Sequence, residues 1–355
     1  MGGRAPLSSS EVKATDTAST KGLKAGGNIS INNGTFTIDA ADDAVHSNSN
    51  IAITGGDLTI MTGDDGIHAD ALVEIAGGTI NIMKSYEGIE GANIIFSGGI
   101  ANVVSIDDGV NASDGNDDVA TNEGRRDQFN KSSNNLITIS GGWLVIEAAG
   151  DGVDSNGSIS MTGGTVIVNG PTNNGNGALD YDGSFEQSGG MLIAAGSAGM
   201  SQTPSDSSSQ YSVSMTYSQT QQAGTLVHIE DSKGNTVLSF IPSKNYQSVV
   251  VSSPDLKKGD SYIIYTGGSM KGTETDGLYT DGKYEGGTKV TEFQITNSVT
   301  WLNESGVTTG GNIGPGPGGN FGQRPSGGGE QGPVGNLGQR PGQVPGEKPE
   351  QRPGM

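Results

Sequence analysis

Acidic residues recur along this chain at a spacing suited to binding cations. Asp43-Ala-Val45, Asp65-Gly-Ile67, Glu87-Gly-Ile89, Asp108-Gly-Val110 and Asp151-Gly-Val153 repeat one motif, and Asp42, Asp64 and Asp107 add an acid one residue earlier. Stacked one strand spacing apart, about 4.8 Å, each unscreened pair repels by roughly 3 kcal/mol at an effective dielectric near 20. Protonation or a bound cation has to relieve this. Alternation counted back from Val45, Ile67 and Val110 turns the Asp43 column toward the inner side of its bend. Oxygen donors beside Gly66, Gly88, Gly109 and Gly152, which are expected to leave backbone carbonyls accessible, favour a hard cation, and calcium fits best. The expected ligands are Asp42, Asp43, Asp64, Asp65, Glu87, Asp107, Asp108 and Asp151, with Asp154 from the next column. The alternative is a solvated acidic bend in which Asp serves turn formation alone.

Three residues further on, Lys24, His46, His68, Glu90, Asn111 and Asp154 form a column that reads as outward-facing. Two histidines with carboxylates can hold zinc; the plainer reading is solvated surface. An insertion of about 21 residues between Asp114 and Asn134 carries Arg125, Arg126 and Phe129. An Arg pair can grip a carboxylate bidentately, and long loops on rigid scaffolds often carry function. Trp143 occupies an outward column beside Ile100 and Thr165, where an exposed ring suits stacking on a sugar or packs beneath the insertion. Trp143, Arg125, Arg126 and Phe129 are the expected carbohydrate contacts. No residue is assigned a catalytic role: the chain lacks a Gly-x-Ser-x-Gly nucleophile elbow and the Walker and Rossmann glycine fingerprints.

The elements that position these residues follow from a repeat. Gly-rich landmarks ending at Gly34, Gly56, Gly78, Gly99, Gly142, Gly164 and Gly190 are separated by 22, 22, 21, 43, 22 and 26 residues, the long step being one period plus the insertion. Within each period apolar residues alternate with polar ones, as strands require. The columns Ile29/Ile51/Val73/Ile94/Ile137/Ile159/Phe185 and Phe36/Leu58/Ile80/Ala101/Leu144/Val166/Leu192 are inward; Thr37, Thr59, Asn81 and Asn102 face out. About three short strands per period, stacked coil on coil, share a core that no single coil can bury. The predicted fold is all-β, a parallel β-helix of about seven coils over residues 21–196. The Leu-x-x-Leu-x-Leu framework of leucine-rich repeats and the nine-residue period of calcium-binding rolls are both missing. Residues 197–303 predict a β-rich cap on the solenoid, with a hairpin turn at Ser232-Lys-Gly-Asn235. Residues 1–20 read as a disordered leader without a signal peptide, and residues 304–355 as a disordered Gly/Pro-rich tail.

Composition narrows the function classes. The 355 residues include 61 Gly and no Cys, and the net charge is −20. There is no disulfide scaffold and no Cys-ligated metal. Nucleic acid and anionic membrane surfaces are poor partners for such a charge, and no apolar stretch reaches a membrane span. Between residues 39 and 182 stand 22 acidic and four basic residues, so the charge is concentrated in the coils.

The repeat resembles that of clostridial carbohydrate-binding domain-containing proteins. The likeness rests on Asp65-Gly-Ile-His-Ala69, Gly77-Gly-Thr-Ile-Asn-Ile82, Ala195-Gly-Ser-Ala-Gly-Met200, Val250-Val-Ser-Ser-Pro254 and Lys258-Gly-Asp-Ser-Tyr262. It covers about residues 20–300. It implies a right-handed, pectate-lyase-like β-helix, bound calcium, a place outside the cell or on its surface, and binding of cellulose and polygalacturonate. Calcium ligation carries over to Asp43, Asp65, Glu87, Asp108 and Asp151; the first coil departs from the pattern with Lys21, and the last drifts to Asp180 and Asp182. The expected function is a non-catalytic, monomeric polysaccharide binder. The alternatives are a calcium-dependent polysaccharide lyase, whose base would come from Lys84, Arg125, Arg126 or Lys131, and a structural adhesin or spacer.

Overall fold

The alternating apolar columns become three parallel ladders that wind around one core. The computed structural model describes residues 19–113 and 134–310. Most of the expected leader, the insertion with Arg125, Arg126 and Phe129, and the tail beyond residue 310 lie outside the described residues. About seven coils stack as a β-solenoid, and no helix occurs among the described residues. The first ladder runs through Leu23–Ala25, Val45–Ser47, the starts of Ile67–Ser85 and Ile89–Ser105, Val110–Ala112, Val153–Ser155 and Leu179–Tyr181. Its inward register is Leu23, Val45, Ile67, Ile89, Val110, Val153 and Leu179, residue over residue. Strand Ile67–Ser85 is unbroken over 19 residues, but its pairing shifts register between Ala69 and Leu72 and between Ala76 and Thr79. Those shifts are the corners, so three strand stretches per coil are present even where hydrogen bonding runs through.

Ile51, Ile53, Val73, Ile75, Leu58, Ile60, Ile80 and Ile82, all at most 1% exposed, lie in a single core that continues through Leu192 and Ala194 of the last coil. At the Gly-Gly corner the second glycine takes a positive φ, +103° at Gly56, which residues with a Cβ rarely adopt. The glycine after each ladder acid has a different task. A Cβ on Gly88 would lie 2.2 Å from the Gly109 carbonyl oxygen of the next coil, so glycine permits the close stacking. The expectation of free carbonyls is corrected here. The carbonyls of Gly66, Gly88, Gly109 and Gly152 accept ladder bonds from Val45, Ile67, Ile89 and Val110 at 3.1–3.2 Å.

Past the last coil, Met191–Gly196 pairs antiparallel with Tyr246–Ser252, which pairs with Ser212–Gln221, and Val299–Asn303 adds beside that strand. The third ladder therefore does not end on an open edge. The 232–235 turn joins the antiparallel strands Val227–Asp231 and Thr236–Phe240 as expected, within a six-stranded sheet completed by Ser261–Thr266, Thr288–Gln294 and two short strands. A second core forms between this region and the outward side of the third ladder. Val145, Ile167, Ile193 and Ala195 of coils five to seven pack with Met215, Val227, Phe240 and Val251.

Candidate functional site

Five of the coils each contribute two polar residues to one bend: the ladder acid (Asp43, Asp65, Glu87, Asp108 or Asp151), and the residue three places on, in the first ladder's outward column. The inward apolar residue between them pins both. The acid and its successor thus face one another, and His46 Nδ1 lies 2.7 Å from Asp43 Oδ2. The outward column is not the solvated surface expected of it. His46 and His68 are each 8% exposed, Glu90 is 1% and Asn111 is 8%. Alternation assigns these side chains to the outside, but the bend folds the acid column against them and removes water from both.

Toward the first coil the bend carries its own cations. Lys21 bonds Asp42 at 2.9 Å and also reaches Asp43; burial pulls its ammonium down, and the bonds to both acids outweigh that and hold it above its ordinary value. His68 Nδ1 meets Asp65 Oδ2 at 3.0 Å and Glu90 Oε2 at 2.8 Å. Burial lowers the imidazole, but these two carboxylates prevail and push it up to about 11. Glu90 is correspondingly lowered: burial acts upward, and the neighbouring His68 acts more strongly downward. His46 is lowered, by burial first and then by the charge of Lys21.

Further along, no cation is supplied. Among the described residues, no ion pair reaches Glu87, Asp108, Asp151 or Asp154. Ligand oxygens of Asp108, Asp151 and Asp154 lie within 4.8 Å of one another. Burial, with neighbouring acids adding to it, raises Asp108 and Asp151 to about 7 and Glu87 to about 9, and lifts Asp154 well above the carboxylate range. Asp180 is raised to about 6 by burial and then by Asp182. Backbone N–H groups of Asp151 and Gly177 donate to Asp108 and Asp151, orienting one oxygen of each. Asn111 Nδ2 donates to Glu87 Oε2 at 2.9 Å. The arrangement is a row of half-buried carboxylates with a charge deficit that a cation can fill.

A family model for carbohydrate-binding domain-containing proteins matches residues 3–66. It is the family that the sequence resembles, and it supports a carbohydrate-binding role. Neither a curated protein nor a solved structure gives a match. The matched stretch holds Asp42, Asp43, His46, Asp64 and Asp65 of the bend.

The expected metal ligands divide into groups rather than one uniform ladder. Asp42, Asp43 and Asp64 gather beside Lys21, while Asp65 joins His68 and Glu90. Asp107, half-buried, takes part in holding the Tyr86 hydroxyl up at about 12 through its hydrogen bond and charge. Trp143 stands between Ile100 and Thr165 in register, as expected. Its ring is half-buried rather than free: it packs against the second core, and its Nε1 donates to Asp276 at 2.8 Å. The C-terminal region covers it. Glu90 was not singled out as a ligand from sequence, although its place three residues after Glu87 marks it as facing the acid column.

Proposed function

We propose that the protein is an extracellular, non-catalytic carbohydrate-binding protein that holds calcium on the acid bend and recognises plant cell-wall polysaccharide, cellulose and/or polygalacturonate. The observation that carries the calcium reading is the Asp108–Asp151–Asp154 group, which is oxygen-only, half-buried, and without a basic partner among the described residues. An all-oxygen donor set suits a hard cation, and such an ion supplies the positive charge these carboxylates lack. With the glycine carbonyls engaged in the ladder, water completes the shell. A site of that kind fills at the millimolar calcium of an extracellular medium.

A surface carrying this charge repels polygalacturonate. Calcium shared between protein and uronate carboxylates converts the repulsion into attraction. Cellulose is neutral and needs another surface. The part of the third ladder that the C-terminal region leaves uncovered offers Thr59, Asn81 and Asn102, the last donating to Asn81 Oδ1 at 2.9 Å, with Met61, Met83 and Ile100 exposed beside them. Hydrogen-bonding and apolar side chains on a flat sheet suit the edges and faces of sugar rings.

Pull-downs on immobilised polygalacturonate and on cellulose, with calcium and with chelator, test the reading. Chelation should abolish retention on polygalacturonate and affect cellulose retention less. Equal retention on polygalacturonate in both conditions would refute calcium bridging. Ultraviolet absorbance should show no unsaturated uronate product; its appearance would favour the lyase.

A further inference from the structure

We propose that the His46–His68 end of the bend is a second metal site of different chemistry, one that takes a borderline transition-metal ion of the zinc class in preference to calcium. The proposal is independent of the carbohydrate reading. Two of the three histidines in the chain sit on adjacent coils with ring centroids 5.0 Å apart. Ligand atoms of Asp43, His46 and His68 lie within 4.8 Å of one another, and so do those of Asp65, His68 and Glu90. His68 belongs to both groups, so the two buried sets of imidazole nitrogens and carboxylate oxygens adjoin.

The hydrogen bonding prepares the rings for a metal. Each Nδ1 faces a carboxylate, Asp43 at 2.7 Å for His46 and Asp65 at 3.0 Å for His68. A ligating histidine commonly pairs its second nitrogen with a carboxylate, which fixes the tautomer and raises the basicity of the ligating nitrogen. At His68 that second nitrogen is Nε2, 3.6 Å from Asp70 Oδ1, which leaves Nδ1 as the ligating atom on the side of Asp65 and Glu90. A second observation points the same way. Glu90, 1% exposed, has an Oε2 that accepts no aligned hydrogen bond although it lies 2.8 Å from His68 Nδ1. A single N–H directed at Asp65 cannot also serve Glu90. One buried carboxylate oxygen therefore stands beside the histidines without a donor, as a ligand would.

Selectivity follows from the donors. Imidazole favours zinc, nickel, cobalt and copper over calcium, whereas carboxylate alone favours the hard ions. Lys21 already offsets the charge of Asp42 and Asp43, so calcium gains less here than at Asp108, Asp151 and Asp154. A cleft of about 430 Å³ bordered by Lys21, Asp65, His68 and Tyr86 provides access.

Untagged, calcium-saturated protein titrated with cobalt(II) and then zinc tests this. One equivalent of cobalt should bind with the visible absorption of a low-symmetry nitrogen–oxygen site, and zinc should displace it while excess calcium should not. His46→Gln and His68→Gln should each weaken zinc binding by about ten-fold or more, whereas Asp154→Asn should leave it intact. Side-chain NMR of the wild-type protein covers the case of variants that do not fold: zinc should shift the His46 and His68 resonances and leave His228 in place. Unchanged affinity in both histidine variants, displacement of zinc by calcium, or unmoved His46 and His68 resonances would each overturn the proposal. Loss or retention of polysaccharide binding bears on the earlier reading and not on this one.

Discussion

Stripped of calcium, the protein should lose stability as pH rises from about 5 to about 8, and Asp154→Asn should reverse part of that loss. Asp108 and Asp151 sit at about 7 instead of 3.8, through burial first and then the charges of neighbouring acids, Asp107 and Asp180 among them for both. A carboxyl with its folded-state value above its unfolded one holds its proton longer when folded. Between about pH 4 and pH 7 the folded state therefore binds more protons than the unfolded state, and stability falls with increasing pH. The penalty is complete above the folded value and absent below the unfolded one. A shift of about three units corresponds to about 4 kcal/mol for one such group taken alone; the two share part of one repulsion, so their losses are less than additive. Set against a typical net stability of about 5–15 kcal/mol, this is decisive. Calcium should abolish the penalty at pH 8 by supplying the missing charge.

Removing one acid should do part of the same work. With three carboxylates within 4.8 Å of one another, Asp154→Asn deletes two repulsive pairs of roughly 3 kcal/mol each at an effective dielectric near 20. That sets a ceiling, because partial protonation already relieves some of the repulsion. Urea unfolding followed by fluorescence of the two tryptophans, at pH 5 and pH 8, with and without calcium, reads both effects. The calcium-free variant should be more stable than wild type at pH 8, similar at pH 5, and little helped by calcium. Equal wild-type midpoints at the two pH values without calcium, or a calcium-free variant weaker than wild type at pH 8, would refute the reasoning.

Three further outcomes are expected. Gly88→Ala places a Cβ 2.2 Å from both the Gly109 oxygen and Val103 Cγ1; overpacking of that severity should destabilise by about 3 kcal/mol or more, measured by urea melts against Gly26→Ala, whose Cβ meets nothing within 4 Å and which should be near neutral. Ile167→Ala, at a fully buried position in the second core, should cost about 2–5 kcal/mol and make the strands after residue 212 more sensitive to limited proteolysis than the coils. Trp143→Phe removes the bond to Asp276 and should cost about 1 kcal/mol in chemical denaturation; an unchanged midpoint would show that the contact contributes nothing to holding the C-terminal region.

Much of the solenoid was legible in the sequence because its sequence period is also its spatial period. A residue and its equivalent about 22 positions on occupy adjacent rungs of one ladder, so stacking inward Val45 on Ile67 and Asp43 on Asp65 needs no knowledge of distant contacts. Corners, inward columns and the acid row all follow from that. A signal for the cover was present as well: the outward positions Thr59, Asn81 and Asn102 give way to Val145, Ile167 and Ile193, and apolar residues facing outward require something to bury them.

What the tertiary structure alone decided is how water and charge are distributed around those columns. Alternation placed His46, His68 and Glu90 on the outside, yet the bend presses the acid column against them and buries both, so they form a polar cluster instead of a wetted surface. The ladder glycines serve coil-to-coil approach, and their carbonyls are consumed by backbone hydrogen bonds. Lys21, a departure from the repeat when read along the chain, becomes the counter-ion of Asp42 and Asp43. Trp143 is half-covered by a residue 133 positions away. A repeat predicts contacts at one fixed sequence separation; burial, ion pairing and capping also depend on separations the period does not contain, and these are set only when the chain closes on itself.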